Sequence, residues 1–132
     1  MTCFWDGIMQ SLDDNEKSLL GLDNKNSIYS LIDSLKQKNR ETNNVLWQNS
    51  KFRKSQIIEN MEHIRLYDKN TASNGYWCSS CDPFLILICE ILEKEIIHYY
   101  LGNRVVYKNT QNSKGLINYK SNRGHFWFSN KN

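Results

Sequence analysis

The chain has 132 residues, 39% of them apolar, and a formal net charge of +3. That length and apolar content suit one domain with one core, and the mild charge, spread along the chain, argues against nucleic acid as the main partner. No apolar run is long enough to cross a membrane, the best being interrupted by Glu90 and Glu93.

The N-terminus lacks a basic start and an apolar signal core, so the expectation is an intracellular, cytoplasmic protein whose four cysteines are free thiols. Cys3 leads into Phe4, Trp5, Ile8, Met9 and Leu12, whose spacing marks the apolar face of a short helix. Asp13 to Lys25 is polar and reads as a loop. Asn26 or Ser27 can cap a second helix with Ile28, Leu31, Ile32 and Leu35 inward. A third helix is expected over Ser50–Leu66, with Ile57, Ile58, Met61, Ile64 and Leu66 inward, and a loop over Asp68–Gly75.

Asp82-Pro83 is an N-cap followed by proline at the first helical position. Phe84 to Ile88 is apolar on every side, the mark of a helix buried all round. Ile96–Leu101 then reads as a strand, Gly102-Asn103 as a two-residue turn and Arg104–Tyr107 as the antiparallel return. Leu116–Lys120 and His125–Phe128 read as two more strands, separated by a turn over Ser121–Gly124. Helices first, then a small, mostly antiparallel sheet with a buried central helix, make a single α+β domain over residues 1–132.

Three groups of residues could carry chemistry. Cys3 stands at a helix start, where backbone N–H groups favour a thiolate and can hold an oxyanion. Position alone leaves open a small buried cysteine of no chemical role. His125, in Gly124-His125-Phe126-Trp127-Phe128, opens a C-terminal strand and could act as base for a cysteine distant in sequence, or be an ordinary edge-strand histidine. His63 is expected to be solvated and His98 structural. Cys78-Ser79-Ser80-Cys81 before a helix resembles a disulfide-exchange motif. It lacks the preceding apolar strand, a later proline and two further zinc ligands, so two unpartnered loop cysteines are the expectation. No metal or organic cofactor is implied.

Taken together, the order of Cys3-Phe4-Trp5, helical segments, Trp77, Asp82 with Leu85–Leu92, Ile96–Tyr99 and His125-Phe126 resembles the ovarian-tumour-domain (OTU) cysteine proteases over nearly the whole chain. The resemblance implies a papain-like fold and a thiol protease that removes ubiquitin or a ubiquitin-like modifier from its conjugates. Cys3 is then the nucleophile, His125 the base, and the backbone N–H groups of Thr2 and Cys3 the oxyanion donors. Aromatics such as Trp5, Phe126 or Trp127 would wall a channel for a Gly-Gly tail. The family usually has Asp-Gly-x before the cysteine and Asn or Asp two residues after the histidine. Met1-Thr2 and Trp127 stand at these places, which leaves the third triad member unassigned. A Cys–His dyad, or a non-catalytic module that binds ubiquitin on the same fold, fits those departures; a thiol–disulfide protein using Cys78 and Cys81 is a third reading. The short chain and frequent Asn, Lys and Ile suit a minimal, viral version, a monomer acting in host cytoplasm or carried in a virion.

Overall fold

The computed structural model describes all 132 residues. Residues Pro83–Leu92 form α5, the helix about which the rest is arranged. Asp82 caps it, its carboxylate accepting from the N–H groups of Phe84 and Leu85, and Pro83 occupies the first turn, where no amide donor is needed. Phe84 through Cys89 are fully buried. The reason for apolar residues on every side is that α5 is covered by helices on one flank and by the sheet on the other. The helix ends at Glu93, in the left-handed region with φ 54°.

The covering helices are α1 (Cys3–Ser11), α2 (Asp14–Leu19), α3 (Ile28–Gln37) and α4 (Lys54–Leu66). Ser27 is the N-cap of α3, its hydroxyl accepting from Tyr29 N–H. The expected loop over Asp13–Lys25 is corrected here. It contains α2, held by a reciprocal capping box between Asp13 and Glu16. Glu16 is buried and neutralised by Lys94 and Lys131, and Leu20 and Leu22 beyond it are fully buried. A six-residue helix shows too little periodicity to announce itself. The expected third helix also starts late, at Lys54. Only Ile57 and Ile64 of its apolar set are buried, while Ile58 and Leu66 face solvent. Lys69–Asn74 forms a 3₁₀ turn where a loop was expected.

Six strands form one sheet in the order β2-β1-β4-β3-β5-β6. They are β1 (Val45–Trp47), β2 (Ser50–Lys51), β3 (Glu95–Tyr100), β4 (Asn103–Asn109), β5 (Leu116–Asn122) and β6 (His125–Lys131). Two of them, β1 and β2, were not anticipated from sequence. The hairpin after β3 turns at Leu101-Gly102 rather than at Gly102-Asn103. Both turn residues have positive φ, 48° and 83°, so the glycine serves the second position. The sheet is mixed, because β3 pairs with β5 in parallel while all other neighbours are antiparallel. Since β4 returns to the start of β3, residues 110–115 need only step over that end to begin β5 on its far side. Glu95 N–H donates to Gly115 carbonyl there, at 2.9 Å. No helix is long and apolar enough to cross a membrane. The architecture is α+β.

Candidate active site

Cys3 and His125 are 122 positions apart in the chain, and packing brings them to one cavity. The contact responsible is between their successors. Phe4 and Phe126 are buried with ring centroids 4.7 Å apart, which aligns the start of α1 with the start of β6. Gly7, one turn along α1, lets the helix lie flush on the strand. A Cβ there would meet the Phe126 ring at 2.9 Å. The β5–β6 hairpin turns at Arg123-Gly124, with Gly124 at φ 82°. This presents the Gly124 carbonyl to Cys3, whose Sγ lies 4.0 Å from that oxygen.

The cavity has a volume of about 210 Å³ and takes in Cys3, Cys78, Arg123, Gly124 and His125. Its aromatic walls are Tyr76, Trp77, Tyr100 and Phe126. This corrects two of the expected wall residues. Trp5 is fully buried beneath α1, packed on Phe84 and donating from its indole to the Tyr67 hydroxyl, and Trp127 lies outside the cavity on the opposite face of the sheet. The rim is apolar and exposed, with Met1, Trp77 and Leu101 presented to solvent. Trp77 is 81% exposed, unusual for a side chain of that size.

At the first position of β6, His125 is exposed, and its ring stacks on Trp127 at 5.3 Å and 28°. The neighbour that holds the imidazole is therefore an aromatic face. Asn122 pairs with His125 across the hairpin and lines the same cavity. On the other side Cys3 is half-buried at the N-terminus of α1, a nine-residue helix whose first-turn N–H groups have no intrahelical acceptors. The N–H groups of Thr2 and Cys3 belong to this end.

Below the cavity runs a hydrogen-bonded chain that links its wall to α5. The Tyr76 hydroxyl donates to Asp82 at 2.9 Å and lies 3.1 Å from Nε2 of His63. Asp82 also accepts from Ser79 N–H, and its own N–H donates to the Tyr107 hydroxyl. Burial pushes the Asp82 carboxyl up to about 6, despite four donors that favour its ionised form. Burial and that carboxylate hold the Tyr76 phenol well above its ordinary value. His63 was expected to be solvated; it is surface-exposed, yet its ring touches this chain.

Sequence reasoning missed Cys78 as a cavity residue. Burial and then the Asp82 carboxylate push its thiol up to about 11, and Cys81 likewise. Both are thus protonated at neutral pH and poor nucleophiles. His98 is fully buried in β3, as a structural histidine should be. Its Nε2 lies 2.7 Å from the Ser121 hydroxyl, and burial lowers its pKa to about 4. No motif signals that Cys78 would reach the cavity. It does so because the segment after the 3₁₀ turn packs Tyr76 against Phe4 and Trp5. No family model, curated protein or solved structure matches the chain.

Proposed function

We propose that the protein is an OTU-like thiol protease that hydrolyses the bond after the C-terminal glycine of ubiquitin or a ubiquitin-like modifier. The observation that carries this reading is the shared cavity: a cysteine at a helix N-terminus and a histidine at a strand start, aligned by the Phe4–Phe126 contact. Cys3 attacks the glycine carbonyl, forming a C–S bond as His125 takes the thiol proton. The N–H groups of Cys3 and Thr2 hold the oxyanion. The C–N bond then breaks, and His125 returns its proton to the leaving lysine amine. A water deprotonated by His125 hydrolyses the thioester and frees Cys3. Asn122 is the candidate third member, since its amide oxygen can accept from the imidazole across the hairpin. The exposed apolar rim suits docking of a protein substrate.

Ubiquitin bearing a C-terminal electrophile tests this. Labelling should occur on Cys3 and be abolished in Cys3→Ala. His125→Ala should slow it by about 10²–10⁴, the usual value of general-base help. The Cys78→Ser/Cys81→Ser double variant should label at the normal rate. Labelling that moves to Cys78 or Cys81, or persists at full rate without His125, would sink the protease. The specific observation favouring the alternative, a ubiquitin-binding module, is that His125 is held by Trp127 rather than by a carboxylate. Binding of unmodified ubiquitin without labelling would establish it.

A further inference from the structure

The charge that looks evenly spread along the chain is divided between its two parts. Residues 95–132 hold six Lys or Arg against one Asp or Glu, a net of +5, whereas residues 1–94 hold eleven against thirteen, a net of −2. Lys114 and Lys131 are paired with Glu93, Asp13 and Glu16 of the first part, which leaves Arg104, Lys108, Lys120 and Arg123 as the cations without an ion pair in the four-stranded portion, β3 to β6. One face of these strands is covered by α1 and α5. The alternate residues point the other way, and the registers place four of them in one row across the strands. Arg104 in β4 pairs with Tyr99 in β3, Tyr99 with Lys120 in β5, and Lys120 with Trp127 in β6.

The row alternates cation and aromatic. Lys120 Nζ sits 6.0 Å from the Tyr99 ring centroid, and His125 extends the aromatic surface by stacking on Trp127. Arg104, Lys120 and His125 are exposed, and Tyr99 and Trp127 are partly so. Tyr99, Lys120 and Trp127 border an open groove flanked by Asn118 and Asn130. We propose that this face binds single-stranded nucleic acid, one base stacking on Tyr99 and another on Trp127, with the phosphate between them on Lys120 and a flanking phosphate on Arg104. Tyr99 and Trp127 are two strand spacings apart, roughly 10 Å, which leaves room for bases splayed about a bound backbone. Stacking tolerates any base, and the cations supply attraction to phosphate. The asparagine pair offers donors and acceptors to base edges, although it is satisfied internally at 2.7 Å in the free protein. Apart from His125, which borders both, this surface lies on the opposite side of the sheet from the Cys3 cavity, and it does not depend on the reading proposed there.

The test is fluorescence anisotropy of the whole protein with a fluorescein-labelled 12-nucleotide oligouridylate. Binding should weaken by about 7-fold between 50 and 200 mM salt, as two phosphate contacts to a single strand require. Tyr99→Ala should weaken it by about 5- to 150-fold, the range for losing one stacked base. The Arg104→Ala/Lys120→Ala pair, both at exposed positions, should weaken it and flatten the salt dependence while leaving the melting transition unchanged. Four results would overturn the proposal. One is no binding at 50 mM salt. Another is equal affinity for a blunt duplex, or no effect of Tyr99→Ala, either of which would reduce the face to a charged patch. The last is binding to phosphatidylserine vesicles but not to the oligonucleotide, which would make it a membrane surface.

Discussion

On the covered face of the sheet, His98, Tyr119 and Phe126 are each at most 3% exposed. On the open face, one residue along in each strand, Tyr99, Lys120 and Trp127 reach solvent. The difference follows from the period of two in a strand, which assigns neighbouring residues to opposite environments. It separates two histidines of one sheet. His98 in mid-β3 is desolvated, held neutral and bonded to Ser121. His125 occupies the first position of β6, where its ring is exposed to solvent. Location within a strand, rather than residue type, decides which histidine reaches solvent.

The contrast between faces can be broken most severely at its covered side. Ile88→Asp places an unpaired charge in the fully buried α5, at a cost of several kcal/mol against a total of about 5–15. Loss of a cooperative thermal transition is expected; a normal melt would reject the buried-helix role of α5.

Two of the buried titratable groups, Asp82 and His98, should give opposite pH dependences. Asp82 rises from 3.8 to about 6 in the fold, so its native state holds an extra proton between those values, and its contribution to stability falls as pH rises through that window. His98 falls from 6.5 to about 4. Its unfolded state holds the extra proton, so its contribution is full above pH 6.5 and is lost as pH falls towards 4. Each amounts to on the order of 3 kcal/mol, and they largely cancel. In Asp82→Asn the opposing carboxyl is gone and His63, also lowered by burial, acts in the same sense as His98, so urea midpoints should rise steeply from pH 4 to 6.5. The same flat profile as wild type would show that one of these groups is not buried in solution.

A smaller effect is expected at the α1–β6 contact. Gly7→Val must displace the Phe126 ring, an overpacking that costs roughly 1–3 kcal/mol. Because this contact aligns Cys3 with His125, labelling by the ubiquitin electrophile should slow more than the stability loss explains. Unaltered labelling in a folded variant would separate the contact from the site. On the open face Lys120→Ala should change stability by no more than about 0.5 kcal/mol, measured by urea unfolding. A larger loss would mean that this face carries packing rather than binding.

Local pattern alone sufficed for α1, α3, α5 and the two late hairpins. Their signals are complete within about ten residues: the Ser27 and Asp82 caps, the apolar spacing of Phe4 to Leu12, and the glycines at the turns. Cys3 and His125 were nameable as candidates for the same reason, since a helix start and a strand start are local features. What the chain order could not carry was pairing at a distance. The short strands β1 and β2 exist because Val45 finds Asn109 and Leu46 finds Lys108 in β4, and three residues hold no period to read. The parallel β3–β5 pair depends on where residues 110–115 deposit β5. Ile58 and Leu66 remain outside because α4 is contacted along one side only, by α3 and α5. The shared cavity, the arrival of Cys78 in it and the Arg104–Tyr99–Lys120–Trp127 row all arise from registers between segments far apart in sequence. Residue types set what each segment can form; the long-range contacts decide which chemical groups meet, because only they fix relative position in space.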